Sequence, residues 1–398
     1  MNRVVTVLCT VVLALVVIGF VLLASASELN SLRFTRSSGE TPYYFLIRQA
    51  VWLCIAFVAC LCAVHFDYHR WRTWPWLTIS FYVVVVGLMA LVFAFPATKG
   101  SHRWIRFGSF ALQPSEFAKI LSVVATGVVL DRMGWRIERF WKGVVPAALC
   151  VVVLMGLTLA EPDFGATMVI AVSAGLLFWL AGMRYGHYGA LAVTGLGAVG
   201  TLLAFNANRM NRIVAWIPSW LAQAMGVAPE VIAANAEKDA NYQLANALVA
   251  IRNGGVTGAP GLFKSLQKQE YLPEAHTDFI FAIGAEEWGL VFSLGLLALY
   301  VTFFVCGVYI AHRAPDRLGR LFAFGMTFLV FFQAMFNLGV VTGCLPTKGL
   351  ALPFVSYGGT NLITAMLAVG VLVNIGGQME PRKPRPRTTR AVVCRKRS

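Results

Sequence analysis

The stretch VVTVLCTVVLALVVIGFVLLA, residues Val4–Ala24, contains no charged side chain. As a helix, an apolar run of about 20 residues is long enough to cross the roughly 30 Å hydrocarbon core of a bilayer. This run is longer than the apolar core of a cleavable signal peptide, and the sequence after Ser25 does not become that of a soluble protein. It therefore predicts a retained membrane-spanning helix near the amino terminus.

Nine further apolar runs follow the first one along the 398-residue chain. They predict spans at Phe45–Val64, Trp76–Phe95, Ser115–Leu130, Gly143–Ala160, Phe164–Gly182, Tyr188–Asn206, Phe279–Ala311, Leu321–Cys344 and Leu352–Gly376. The composition agrees, because 58% of the residues are hydrophobic and only 13% are charged, against about 25% charged in soluble domains. The predicted fold class is all-α, a polytopic membrane protein with about ten transmembrane helices.

Lys and Arg residues predict the orientation, because short cytoplasmic loops carry an excess of them. With the amino terminus inside, the basic loops around Arg70, Arg136 and Arg317 are all cytoplasmic. Residues 1–377 then form a single membrane domain in a bacterial inner membrane, and residues 378–398 form a basic, disordered cytoplasmic tail. Both termini are cytoplasmic. The net charge of +15 fits contact with anionic membrane lipid and gives no reason to expect nucleic acid.

The segment 207–277 is the long stretch without a predicted span, and it precedes the predicted eighth helix on the outer face. Trp216 and Trp220 suit a membrane interface. Leu244, Leu248 and Ile251 recur at helical spacing, so one helix face is apolar. These features predict a large, structured extracytoplasmic loop that folds against the bundle as a lid. Long structured loops in compact proteins tend to be functional.

Charged residues at membrane depth are functional candidates, because each costs about 2.5–3.5 kcal/mol to insert. Glu116 and Lys119 stand three residues apart at the start of the fourth span and can pair on one helix face. Asp163 opens the sixth span, where a carboxylate also caps a helix. Both have a structural alternative, an ion pair that orients the helix and a simple N-cap. Glu286 and Glu287 fall within the eighth span, so at least one must face a polar interior.

Asp278 is the most informative carboxylate, because it lies where the long polar segment re-enters the membrane. A carboxylate at such a place can act as a general base toward a substrate hydroxyl. The structural alternative, given equal weight, is that Thr277 or Asp278 caps the eighth helix.

Several motifs in a fixed order resemble the SEDS family of membrane proteins (shape, elongation, division and sporulation). They are Gly100–Ile105 with Gln113–Lys119, Pro162–Gly165, Gln267–Lys268 with Tyr271–Ala282, Leu345–Leu350 and Pro353–Gly359. The resemblance covers nearly the whole chain. Tyr271 with Glu274–His276, together with Pro346–Gly349, is more similar to the cell-division branch of the family than to its elongation branch.

The resemblance implies a peptidoglycan glycosyltransferase that joins lipid II units into glycan strands at the division septum and releases undecaprenyl pyrophosphate. It implies Asp278 as the catalytic residue. The residues that it implies for substrate binding are Arg103, Arg106, Glu116, Lys119, Asp163, His276, Lys348 and Ser356. Arg and Lys suit the phosphates of two lipid-linked substrates. The backbone amides of Pro353–Gly359 can approach a headgroup at a helix start, with a simple start of the tenth helix as the structural alternative.

The same resemblance implies lipid II as substrate and, as protein partners, a class B penicillin-binding protein transpeptidase and other membrane proteins of the division machinery. We expect the transpeptidase to dock on the eighth and ninth spans and the lid, where the small residues Gly307, Ala323 and Gly325 would let another helix approach. The sequence leaves a divalent cation such as Mg²⁺ open as a cofactor. It indicates no nucleotide or organic cofactor, since no Walker motif is present.

Three alternative functions remain open on the sequence alone. Intramembrane charges and an apolar lid also fit a flippase that moves lipid II across the bilayer. The chain could also be an elongation-type polymerase or a noncatalytic scaffold of the division machinery. The predicted location of the charged groups on the outer side disfavours a flippase, because alternating access places its binding site near the midplane.

Overall fold

The protein is a bundle of long helices. The structure, a computed structural model, describes residues 3–38, 43–96, 102–107, 110–204, 239–258, 277–346 and 349–379. Within these ranges the α-helices are α1 (Arg3–Ser38), α2 (Tyr44–His65), α3 (Arg70–Thr73), α4 (Pro75–Leu91), α5 (Pro114–Met133), α6 (Val145–Ala160), α7 (Phe164–Leu180), α8 (Tyr185–Ala204), α9 (Asp239–Gly254), α10 (Ile280–Arg313), α11 (Arg317–Val341) and α12 (Gly359–Gly377). Short 3₁₀ helices lie at Val92–Ala94 and Gly134–Glu138, and a π-helical turn lies at Phe140–Val144.

Each predicted span overlaps one of these helices. Among the described residues, seven helices are long and apolar enough to cross a membrane: Arg3–Ala26, Tyr44–His65, Pro75–Ala94, Phe140–Ala160, Ile280–Arg313, Arg317–Val341 and Gly359–Gly377. The helix α7 is apolar but shorter. The chain is therefore a mostly helical membrane protein, and the count of ten spans stays a prediction.

The last helix begins at Gly359, later than the predicted Leu352. Pro353 has no N–H group to donate within a helix, and Phe354 has a φ of 67°, outside the helical region. The chain instead makes one turn here, in which the backbone N–H of Ser356 donates to the carbonyl oxygen of Leu352 over 2.9 Å. A loop therefore precedes α12 where the sequence predicted helix.

The mostly helical fold agrees with the prediction, and the described loop between α4 and α5 adds a small hairpin that the sequence did not predict. Strands β1 (Ile105–Phe107) and β2 (Phe110–Leu112) pair antiparallel, with Arg106 opposite Ala111. Strands of three residues are too short to show the alternation that identifies a strand in a sequence.

The small residues expected at a docking surface are used inside the chain. A Cβ added at Gly307 would lie 2.0 Å from Thr327 Oγ1, and one added at Gly325 would lie 2.5 Å from Val123. Ala323 is also fully buried. These residues let α10, α11 and α5 pack closely, so the prediction that they accept a partner's helix is wrong.

The predicted lid is described in its helical part, where α9 packs against α10. The buried positions in the described part of α9 are the small residues Ala247, Ala250 and Gly254, whereas Leu248 of the predicted apolar face is 42% exposed. Trp216 and Trp220 lie outside the described residues. The face of α9 that packs is therefore set by close approach of small side chains.

The helix α10 is broken at Gly289, which has φ 72° and ψ −161°. The N–H groups of Leu290 and Val291 donate instead to the backbone oxygens of Gly255 (3.0 Å) and Val256 (3.4 Å). A Cβ at Gly258 would lie 2.2 Å from the backbone oxygen of Glu287. The described part of the lid is thus joined, just after α9, by backbone hydrogen bonds to the helix that Asp278 precedes.

Loops that the sequence assigns to one side of the membrane contact one another. At one end of the bundle, Arg132 donates to the backbone of Arg72 over 2.9 Å and Tyr68 donates to Asp316 over 2.6 Å. At the other end lie Asp278 and the α6–α7 turn. We call these the basic end and the Asp278 end.

Candidate active site

Asp278 lies in the turn that leads into α10. The side chain of Asn337 on α11 holds this turn. Its Nδ2 donates to the backbone oxygen of Asp278 over 2.8 Å and to that of Leu350 over 2.6 Å. Because Asn337 is 1% exposed, both hydrogen bonds are shielded from water, where they are electrostatically stronger. They tie the Asp278 turn to the loop after α11.

The carboxylate of Asp278 lies against the backbone of Gly349. A Cβ added at Gly349 would be 2.1 Å from Asp278 Oδ2, so a side chain at this position would displace the carboxylate. The N-cap residue of α10 is Phe279, which makes no side-chain capping bond. Asp278 is therefore not the N-cap residue of α10, and its catalytic role stays a prediction.

Arg103 reaches the turn between α6 and α7. Its Nε donates to the backbone oxygen of Glu161 over 3.2 Å, and its Nη2 donates to that of Pro162. Glu161 is fully buried, and neither carboxylate oxygen has a hydrogen-bond partner in the described part of the chain. Burial, and secondly the charge of Asp163, raise the pKa of the Glu161 carboxyl to about 8, while Arg103 opposes the rise.

We expect Glu161 to make the stability of the protein depend on pH. The folded protein keeps the Glu161 proton up to about pH 8, whereas the unfolded chain loses it near the ordinary glutamate value of about 4.3. As the pH rises from about 4.3 to about 8, the free energy of unfolding should therefore fall, by up to about 1.4 kcal/mol per pH unit. The Glu161→Gln variant should lack this fall in thermal unfolding measured from pH 5 to pH 9 in detergent. Glu138→Gln, at an exposed residue paired with Arg184 at 3.3 Å, is the control and should keep it. Equal pH slopes in the two variants would refute this assignment.

Asp163 is the N-cap residue of α7. Its Oδ1 accepts from the backbone N–H of Ala166 over 3.3 Å, and its Oδ2 accepts from Ser115 and Gln113, each over 3.2 Å. The capping alternative is therefore present in the structure. The same carboxylate also joins the start of α7 to the start of α5.

Glu116 and Lys119 form a buried ion pair in the interior. Lys119 Nζ lies 2.8 Å from Glu116 and donates to Gln333 on α11 over 2.6 Å. Gln333 in turn donates to Asn361 of α12 over 2.9 Å and to the backbone oxygen of Ala351 over 2.8 Å. Lys119 is 1% exposed, so its ammonium is satisfied by protein groups. This geometry matches the structural alternative, an ion pair that orients helices.

The remaining candidates are placed differently. Arg106 is exposed on β1. The hydroxyl of Ser356 is buried and accepts from the backbone N–H of Leu352 over 2.8 Å, which stabilises the turn before α12. His276 and Lys348 lie outside the described residues. The Asp278 turn and Arg103 lie at the same end of the bundle.

Sequence reasoning missed Asn337, Gly349 and Glu161. The sequence does contain a signal for Asn337. Gln333 and Asn337 are polar residues four apart in an apolar span, so they share one helix face. In the structure these two amides bind the consecutive backbone oxygens of Leu350 and Ala351. For Gly349 and Glu161 the decisive contacts are long-range, so no local pattern indicates them.

A divalent cation stays a prediction. Within the described ranges, no group of three or more His, Cys, Asp or Glu side chains could hold a metal ion. The described residues therefore provide no such set of ligands for Mg²⁺.

Comparison with known proteins identifies the family. The sequence model of the FtsW/RodA/SpoVE family, described as "Cell cycle protein", matches residues 5–380. The chain belongs to the FtsW/RodA/SpoVE family. This confirms the predicted membership, since these are the SEDS proteins.

Relatives within the FtsW/RodA/SpoVE family are similar over nearly their full length. A probable peptidoglycan glycosyltransferase FtsW of Geobacter metallireducens is 34% identical over 92% of this chain and 93% of its own. That of Pseudomonas fluorescens is 36% identical over 91% of this chain and 85% of its own.

Solved structures of the FtsW/RodA/SpoVE fold are also similar. A chain from a structure on the coordination of polymerization and crosslinking by a peptidoglycan synthase complex has a TM-score of 0.70 and 26% identity, covering 93% of this chain and 96% of that one. The rod shape determining protein RodA of Thermus thermophilus has a TM-score of 0.65 and 26% identity, covering 94% and 97%.

Proposed function

We propose that this chain is a peptidoglycan glycosyltransferase that polymerises lipid II into glycan strands at the division septum. The relatives described above carry the glycosyltransferase name. The observation that supports the site is the Asp278 carboxylate, set against Gly349 by a turn that the buried Asn337 holds. The test is glycan-strand formation from purified lipid II, with and without Asp278.

The reaction that we propose is a single displacement. A hydroxyl of the acceptor sugar attacks the anomeric carbon of the donor, and Asp278 takes the hydroxyl proton. The new C–O bond forms as the bond to the pyrophosphate breaks, so undecaprenyl pyrophosphate leaves and the configuration inverts. One carboxylate acting as base is sufficient, because the pyrophosphate leaves without covalent help.

The phosphates of the two substrates need cations at the same end of the bundle. Arg103 and Arg106 lie there, and we propose Lys348 as a third phosphate ligand. Two N–H groups of Arg103 donate to the α6–α7 turn, and a guanidinium has five such donors. Its remaining N–H groups can bind a phosphate, with the backbone bonds fixing the direction of the side chain.

For the buried residues we propose positioning roles toward the same substrates. The Glu116–Lys119 pair orients Gln333, and Gln333 binds the backbone of Ala351 next to the loop that meets Asp278. Asp163 fixes the α5–α7 junction beside Arg103, and Ser356 shapes the loop before α12. His276, two residues before Asp278, is proposed to contact the substrate directly.

We further propose ten spans with both termini in the cytoplasm, which places the Asp278 end outside and the basic end inside. A topology reporter fused after Ala240 should then report the outer side, and one fused after Ser398 the cytoplasm. A reporter after Arg317, in the loop before α11, should also report the cytoplasm. The same side for Ala240 and Ser398 would show that the span count is wrong.

For partners we propose a class B penicillin-binding protein and other membrane proteins of the division machinery. A similar chain comes from a structure concerned with a peptidoglycan synthase complex that coordinates polymerization and crosslinking. On this chain, α9 and the outer surfaces of α10 and α11 are the proposed contact region, without the buried glycines. The exposed apolar residues Leu248, Leu290 and Leu294 are available there for a membrane-embedded partner.

A further inference from the structure

The basic end of the bundle contains two kinds of arginine. Some are engaged by the protein itself: Arg72 lies 3.4 Å from Asp131, and Arg184 lies 3.3 Å from Glu138. Others, Arg70 and Arg139, have no carboxylate partner among the described residues but lie over aromatic rings.

The free arginines are held in place by aromatic side chains. The Arg139 guanidinium lies 5.0 Å from the centre of the Trp135 ring, and the Arg70 guanidinium lies 5.3 Å from that of Trp74. Cation–π contacts of this kind contribute about 0.5–1 kcal/mol at exposed sites. A guanidinium beside an aromatic ring keeps its N–H donors, so these two side chains can bind an anion while the ring restrains them.

The loop that contains Arg139, residues 134–144 between α5 and α6, presents tryptophan side chains to the outside. Trp135 is 65% exposed and Trp141 is 79% exposed, whereas Ile137 between them is buried. Gly143 lets the loop close on itself, because a Cβ there would be 2.1 Å from the backbone oxygen of Arg136. The loop is therefore a folded element with an outward face, and exposed tryptophan is typical of the headgroup level of a membrane.

Further cations flank these tryptophans on the same loop. Arg136 and Lys142 are exposed, and neither has a carboxylate partner in the described ranges. The exposed acid of the loop, Glu138, is already paired with Arg184. The outward face of this loop therefore carries positive charge beside apolar rings. The charge complements the phosphate of a lipid headgroup, and the rings complement the start of the acyl chains below it.

We propose that Arg136, Arg139 and Lys142 form a binding site for the headgroups of anionic phospholipids. The exposed Trp135 and Trp141 would lie at the acyl boundary while the guanidinium groups bind the phosphates bidentately. The cytoplasmic leaflet is the one with anionic surface charge, and the basic end faces it in the proposed orientation. This inference does not depend on the glycosyltransferase activity.

The test is native mass spectrometry of the purified full chain in detergent with added phosphatidylglycerol or phosphatidylcholine. The double variant Arg139→Gln/Lys142→Gln should bind phosphatidylglycerol about 5-fold more weakly for each cation removed, with phosphatidylcholine binding unchanged. The control Arg72→Gln/Arg132→Gln removes the same charge from engaged arginines, since Arg72 pairs with Asp131 and Arg132 donates to the backbone oxygen of Arg72. It leaves the Glu138–Arg184 pair intact and should bind phosphatidylglycerol like the wild type.

Equal losses in the two double variants would show that net charge alone attracts the lipid, and would overturn the site. Unchanged binding in the test variant would overturn it as well. Trp135→Leu gives a second measurement, since it keeps every charge but removes the ring under Arg139. It should weaken phosphatidylglycerol binding, and wild-type binding by this variant would contradict the stacked geometry. Monodisperse elution of each variant verifies that it is folded.

Discussion

Replacing Asp278 by Asn is expected to lower the rate of lipid II polymerisation by roughly 100-fold to 10,000-fold, the usual contribution of a general base. Asn has nearly the same size, so the turn that Asn337 holds through the backbone oxygen of residue 278 should be kept. Its amide cannot accept the proton of the acceptor hydroxyl. The loss should therefore appear in kcat and leave KM nearly unchanged.

The matched control is Asp316→Asn at the basic end. Asp316 is the N-cap of α11, where its side chain accepts from the backbone N–H of Gly319 over 3.1 Å. Asn also caps helices well, and this position is at the far end from the proposed chemistry. A small change in the control beside a large loss at position 278 supports the assignment. A folded Asp278→Asn protein with a near-normal rate would contradict the catalytic assignment, and Glu116 and Asp163 would be the next carboxylates to test.

Gly349→Ala is expected to have the second largest effect. The new methyl group would start 2.1 Å from Asp278 Oδ2, so the carboxylate has to move by more than an ångström or rotate away. Misplacement of a catalytic group by about 1 Å can reduce the rate on the order of 100-fold. Because no titratable group is changed, the shape of the pH–rate profile should be retained while its height falls.

Gly156→Ala is the control for this substitution. Gly156 lies within α6, and a Cβ there meets nothing within 4 Å, so alanine should be tolerated or slightly stabilising. Activity of Gly349→Ala equal to that of the control would mean that Asp278 is not held against this backbone in the working enzyme. Steady-state polymerisation of the two purified variants under identical lipid II concentrations gives the comparison.

The helices were predictable because the signal is local. A run such as Val4–Ala24 must satisfy its backbone within itself in lipid, so composition alone indicates a helix. Asp163 was predictable as a cap for the same reason, since capping involves residues within one turn. The Glu116–Lys119 pair is also local, three residues apart on one helix.

The site was less predictable because its geometry comes from residues far apart in sequence. Asp278 meets Gly349, and Asn337 bridges their two loops, although more than fifty residues separate Asp278 from either. The break of α10 at Gly289 was hidden for a related reason. A glycine inside an apolar helix is common in membranes, and only the backbone of Gly255 and Val256 reveals that the helix is interrupted there.

The resemblance of the motifs to a known family supplied a functional role that local sequence patterns could not. It implied the catalytic role for Asp278, whereas the physical argument alone singled out this carboxylate but left capping and catalysis equally weighted. The structure adds the contact of this carboxylate with Gly349 and the finding that Lys119 is satisfied inside the protein. Of the cations that we propose as phosphate ligands, Arg103 and Arg106 lie at the Asp278 end, whereas Lys119 is buried in its pair with Glu116.

The most direct test of polymerisation at Asp278 is glycan synthesis by the full chain purified with the proposed transpeptidase partner, with crosslinking blocked by a β-lactam. Labelled lipid II in detergent should be converted into a ladder of uncrosslinked glycan strands on a gel, together with undecaprenyl pyrophosphate. The complex that carries Asp278→Asn should leave lipid II unconverted while keeping the partner bound. Strand formation of equal length and rate by the two complexes, or none by a folded wild-type complex, would contradict the claim that this chain polymerises lipid II at Asp278.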